Sequence, residues 1–187
     1  MLKKVLLVLG ALVVLFLIVV AMRPADFKIV RTATIAAPDS VLFAQVNDFH
    51  NWGAWSPWAK LDPAMKETYD GPASGTGATY AWTGNSDVGE GKMTILENTP
   101  SSLVEIKLEF LKPFAATNIA EFSFVPTGNG TTVTWTMTGT NNFMAKGFDL
   151  VMNMDKTVGK DFEKGLAGMK AVAEAKAGNQ PAPTPTP

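Results

Sequence analysis

The hydrophobic pattern opens with one unbroken run. From Val5 to Met22, VLLVLGALVVLFLIVVAM carries no charged or strongly polar residue over 18 positions. Coiled as a helix rising 1.5 Å per residue, it would extend roughly 27 Å, close to the thickness of bilayer hydrocarbon. A helix buried in a soluble core ordinarily keeps a polar stripe, and this run has none. Two readings fit: an uncleaved membrane anchor, or a signal peptide cut after Val19-Val20-Ala21. The run outlasts the roughly 7–15 apolar residues of a usual signal segment, which favours the anchor. Lys3 and Lys4 suggest a cytoplasmic amino end with the rest of the chain outside. Arg23, Lys28 and Arg31 follow closely and weaken that asymmetry.

Beyond the run the period changes to two. FKIVRTATIAA, Phe27 to Ala37, is β-branched and alternating, which predicts a first strand. Pro38-Asp39-Ser40 then supplies helix-start chemistry, and Leu42 and Val46 share one face of the short helix expected there. Alternation returns with Tyr80 and Trp82, with Met93 and Ile95, and with Val104, Ile106, Leu108 and Phe110 set against Glu105, Lys107 and Glu109. Ala120 to Val125 and the threonine-rich stretch holding Val133, Trp135 and Met137 form a further pair around the hairpin loop PTGNG. Such faces describe an antiparallel sheet with one wet side and one apolar side, and the apolar side needs a cover.

The cover is at the carboxyl end. Between Asp155 and Ala175, Val158, Phe162, Leu166, Met169 and Val172 recur three or four apart, so one stripe of a long helix can lie on the sheet. Gly159, Gly165 and Gly168 would cost that helix roughly 1 kcal/mol each relative to alanine. Close approach to the sheet or a bend would account for them. From Gly178 the sequence GNQPAPTPTP reads as a disordered or polyproline-like tail. The expected organisation is α+β: an anchor over 1–24, a folded domain over 25–177 and a tail over 178–187.

Composition narrows the chemistry. A formal charge of −1 and a pI near 5.8 offer no excess of cations for a phosphate backbone, so nucleic acid is not an expected partner. The chain has no cysteine and one histidine, His50, which excludes thiolate chemistry and a multi-histidine metal site. His50, beside Asp48, is the one imidazole available to a general base, and a surface or helix-end role competes with that reading. Glu90, flanked by glycines in VGEGK, reads as turn chemistry. GPASGTG lacks the Lys-Ser/Thr ending of a phosphate-binding loop. No cofactor and no metal is expected.

The segment NWGAWSPWAK, Asn51 to Lys60, concentrates Trp52, Trp55 and Trp58 in a turn. The three indoles either line and gate a cavity or plug the short helices against the sheet.

The order of strand, short helices carrying W-x-x-W-S-P-W, many antiparallel strands and a long final helix resembles the START-like helix-grip superfamily. The resemblance is specifically to its polyketide cyclase/dehydrase and lipid-transport branch, often labelled SRPBCC. The likeness rests on IAAPDSVLFAQVND, WGAWSPW, GPASGTGATYAWTGN, VGEGKMTI, GTTVTWTMTG and VGKDFEKGLAGMK, and covers about residues 27–175. It implies a curved sheet of about seven antiparallel strands gripping the long helix, with a hydrophobic cavity between them. The expected ligand contacts are Trp52, Trp55, Trp58, Tyr80, Trp82, Phe110, Phe122, Trp135 and Met137. Phe143, Phe148 and Met152 of FMAKGFDLVMNM join them as a lid. Indole N–H groups and the Tyr80 hydroxyl would give direction.

Three functions suit such a molecule. The first is a membrane-anchored binder of a hydrophobic or amphipathic, lipid-like small molecule. The second is a cyclase- or hydrolase-like enzyme using the same cavity, and the third is a structural envelope protein whose cavity is filled by its own tryptophans.

Overall fold

The structure, a computed structural model, describes residues 1–178. Residues 179–187, the rest of the expected tail, lie outside them.

Helix α1, Leu2–Met22, projects away from the remainder of the chain, and Val20 is its one buried residue. After it come β1 (Asp26–Ile35), α2 (Asp39–Asn47), a 3-10 helix (Phe49–Ala54), then β2 (Lys66–Asp70) and β3 (Thr79–Thr83). Four long strands follow: β4 (Glu90–Thr99), β5 (Leu103–Lys112), β6 (Ala116–Thr127) and β7 (Gly130–Thr140). Helices α3 (Phe143–Met152) and α4 (Met154–Gly178) complete the described chain. The strands form one antiparallel sheet in the order β1-β7-β6-β5-β4-β3-β2. The first and last strands of the chain are neighbours, and β1 and β2 form the two edges of the sheet.

Register follows the alternation of side chains. Phe122 of β6 lies opposite Trp135 of β7, and Ala120 opposite Met137, so the apolar residues of both strands face the same side. On the other side, threonine hydroxyls meet across β1 and β7, Thr32 with Thr134 at 3.2 Å and Thr34 with Thr132 at 3.1 Å. The apolar face receives α4, whose Phe162, Leu166 and Met169 are buried among Ile29, Ile35, Leu42, Val46, Val104 and Ile106.

The three helix glycines are explained by close approach. A Cβ at Gly168 would stand 2.6 Å from the Trp55 carbonyl oxygen, and one at Gly165 would stand 2.7 Å from the Trp135 ring. At Gly159 a Cβ would collide with the guanidinium of Arg31. Arg31 crosses there to bond Glu163 at 2.9 Å and Asp155 at 3.1 Å, clipping β1 to the start of α4.

Two elements differ from the sequence expectation. β2, KETYD, is exposed along its whole length, so it carries no apolar alternation to announce it. FMAKGFDLVM forms a helix of its own, α3. It is capped by the Asn142 side chain accepting from Ala145 N at 2.9 Å, and it ends at Asn153 in the left-handed region, φ 49°.

Candidate functional site

α4 does not press on the sheet along its whole length. Leu166, Met169 and Ala173 close against the core. The earlier part of the helix, with Met154, Val158 and Asp161, borders a cavity of about 400 Å³, and Phe162, packed on the sheet, lines its edge. That volume lies in the usual range of small-molecule sites, about 300–1,000 Å³. Its floor is the apolar side of β3 to β7, with Tyr80, Trp82, Met93, Leu108, Phe110, Ala120, Trp135 and Met137 on the lining.

The tryptophan stretch forms the end wall. Trp55 is buried and does not reach the cavity, whereas Trp52 and Trp58 line it. Trp52 lies 4.7 Å from Trp55, centroid to centroid, and Trp135 stacks on Phe162 of α4 at 4.0 Å and 4°. The indole N–H groups of Trp52 and Trp55 donate to the carbonyls of Val46 (3.0 Å) and Gln45 (3.1 Å). Those are carbonyls near the end of α2, which have no partner within a helix that stops there. The turn can hold three indoles because two of them cap a helix and brace it on the sheet. The same segment is therefore plug and wall.

Of the remaining candidates, Phe122 is fully buried beneath Trp52, Trp55 and Trp135 and does not line the cavity. Phe143, Phe148 and Met152 are not brought to it either. They stand at least half exposed, or nearly so, while Ala145 of the same helix contributes to the lining. The lid expected from FMAKGFDLVMNM thus presents its apolar residues to the outside.

The polar equipment also differs from the expectation. The Trp82 N–H is taken by the Val88 carbonyl at 3.0 Å, and the Trp135 N–H is buried without a partner among the described residues. The Tyr80 hydroxyl donates to one oxygen of Glu67 and the Tyr69 hydroxyl to the other, each at 3.0 Å. Burial first, and then the bond to Glu67, pushes the Tyr69 phenol up to about 12 and raises Tyr80 in the same direction. Both stay protonated donors at neutral pH.

Asn118 is a further polar group on the lining, along with the unpaired Trp135 N–H. Its side chain lies on the cavity lining with 8% of the residue exposed, and it makes no hydrogen bond to the described residues. Its Oδ1 rests so close over Gly139 that any side chain there would strike it. Asn118 was legible in principle, because it sits two residues before Ala120 and four before Phe122 and so shares their face. Glu67 and Tyr69 were not, since they ride on the polar strand β2.

His50 does not line the cavity. Its Nδ1 pairs with Asp48 Oδ1 at 2.8 Å, its ring stacks on Tyr69 at 4.2 Å, and its side chain is 54% exposed. Glu90 is paired with Lys112 at 2.7 Å where the start of β4 meets the end of β5. Among the described residues, no set of three His, Asp or Glu side chains gathers as metal ligands would.

The family model described as "Polyketide cyclase / dehydrase and lipid transport" matches residues 26–174. The chain belongs to that family. No curated protein matches it significantly. Solved structures similar in fold to this family member include protein CV1439 from Chromobacterium violaceum. That likeness has 12% identity and a TM-score of 0.58, and covers 79% of this chain and 96% of that one. The di-domain ARO/CYC StfQ from the steffimycin biosynthetic pathway is similar at 13% identity and TM-score 0.63, over 82% of this chain and 52% of StfQ. The Aha1 dimer from Colwellia psychrerythraea is similar at 14% identity and TM-score 0.57, over 79% and 96%. At such identities the likeness concerns the fold, and it is the curved sheet around a long helix that they share.

Proposed function

We propose that this protein is a binding domain for a hydrophobic or amphipathic, lipid-like small molecule, tethered to a membrane by α1. The observation that carries the reading is the apolar-walled hollow of about 400 Å³, with the Asn118 amide and the Trp135 N–H on its lining making no hydrogen bond among the described residues. A ligand hiding about 300 Å² of apolar surface there would gain roughly 7 kcal/mol before ordering costs. Asn118 can both donate and accept, so a ligand in the hollow has an amide to pair with. The Glu67 carboxylate, held by two phenols, lies at the other end of the lining and marks a second polar position. Membership of a family described by cyclase, dehydrase and lipid-transport members supports an apolar ligand. The anchor reading rests on α1, long and apolar enough to cross a membrane and almost wholly exposed outside one.

The test is native mass spectrometry of the full chain released from lipid nanodiscs, beside an Ala120→Phe variant that fills the floor of the cavity. The expected result is a small molecule retained by the wild type and lost from the folded variant. Equal retention by both, or none by the wild type under mild release, would shift the reading to a structural protein.

A further inference from the structure

An amphipathic helix in a soluble protein turns its apolar side inward. α3 does the reverse. Phe143, Met144, Phe148, Val151 and Met152 are exposed, with values from 49% to 75%, while Lys146 falls on the opposite side of the helical wheel and Ala145 and Asp149 border the apolar face. Phe114, in the β5–β6 loop and 65% exposed, extends the same surface, with its ring 6.0 Å from that of Phe148. A contiguous apolar surface of this kind marks an interaction site.

What covers it follows from α1. Val20 is buried, and its methyl groups stand 3.9 and 4.0 Å from where a Cβ at Gly147 of α3 would be. Arg23, one residue beyond the helix, pairs with Asp149 of α3 at 3.6 Å. Val20 belongs to the last turn of the apolar run. If α1 crosses a bilayer, an element packed on Val20 is held at the depth where hydrocarbon meets headgroups, the level at which interfacial helices lie. Its apolar side then needs no protein partner.

We propose that α3 and the tip of the β5–β6 loop form a second membrane contact, lying in the phospholipid interface beside the exit of α1. This rests on the anchor reading given above. The cavity gives the contact its purpose. Exposed lining residues occur at two places, one around Glu67, Tyr69 and Asp87, the other at Phe114, Ala115, Ala116 and Asn142. The second opening lies between the β5–β6 loop and the start of α3, so docking α3 sets that mouth against the lipid surface. An apolar ligand would pass between bilayer and cavity without crossing water.

The chain lacks cysteine, so single cysteines can carry a fluorophore without background. Full chain in phosphatidylcholine/phosphatidylglycerol vesicles is labelled at Met144, Phe148, Asn129 or Leu12, and quenched either by nitroxide lipid bearing the spin near the headgroups or by aqueous iodide. The expected result is lipid quenching at 144 and 148, well above that at 129 in the distant β6–β7 hairpin, with iodide quenching reversed in order. Quenching at 12 but not at 144 or 148 would overturn the interfacial contact and leave the anchor standing. Absence at 12 as well would remove the anchor, and the contact with it. Energy transfer between Phe148-labelled chains at low density would assign the surface to a second copy and overturn the proposal.

Discussion

Trp55 and Trp58 show how two like residues three positions apart acquire different work. Trp55 is spent on packing: its ring lies against Trp52, Phe122 and Trp135, and its N–H closes the end of α2. Trp58 is half-buried and lines the cavity, edge-on to Trp135 and Phe162. Replacing Trp55 with alanine should cost about 3–5 kcal/mol in a denaturant titration of the full chain in detergent, and Trp58→Ala clearly less, with ligand retention impaired. An equal loss of stability from both would make the whole stretch a plug. Tyr69 and Tyr80, the only tyrosines in the chain, permit a second test at this scale. Their raised values mean that the folded chain holds these protons more tightly than the unfolded chain, whose phenols titrate near 10. The stability this contributes is complete below about pH 10 and is lost as pH rises through about 12, where Tyr69 ionises in the folded state. Phenolate absorbance should therefore appear late in the native protein and near pH 10 in denaturant. Glu67→Gln should advance the native titration. A native titration already centred at 10 would contradict the Glu67 bridge.

At the scale of elements, the glycines of α4 decide how the helix lies. In an unencumbered helix, glycine to alanine stabilises by up to about 1 kcal/mol. At Gly168 the added methyl would meet backbone at Trp55, which cannot yield cheaply. Gly168→Ala is expected to destabilise by about 1–3 kcal/mol. Gly147→Ala in α3, where the methyl has room, should stabilise; thermal unfolding of the two variants compares the signs directly. The elements legible in the sequence were those whose burial imposes a period: β1, β3 to β7 and the stripe of α4. β2 was illegible because an exposed edge strand has no apolar alternation. α3 was misread in its orientation for a related reason. Periodicity identifies an apolar face, but whether that face meets protein or lipid depends on where α1 leaves the domain, which no local pattern records.

For the molecule as a whole, alternation and helical spacing reached the architecture, a sheet curved round one helix, and placed most of the cavity floor on the correct face. They did not reach the cavity's extent. That depends on where α4 lifts off the sheet, which is set by the contact of Gly165 and Gly168 with the tryptophan turn at one end and by the Arg31 clip at the other. Phe122 could not be separated from Trp135 by pattern, because both face inward and only the position of α4 decides which of them meets open space. The chain's five tryptophans report on that space: Trp52, Trp58, Trp82 and Trp135 line it and Trp55 does not. The most direct measurement is therefore quenching of tryptophan emission by a brominated medium-chain fatty acid, titrated into the full chain and into Ala120→Phe. Saturable quenching at one site per chain, abolished in the folded variant, is the predicted result. Quenching that rises without saturation and is the same in both proteins would contradict a ligand cavity.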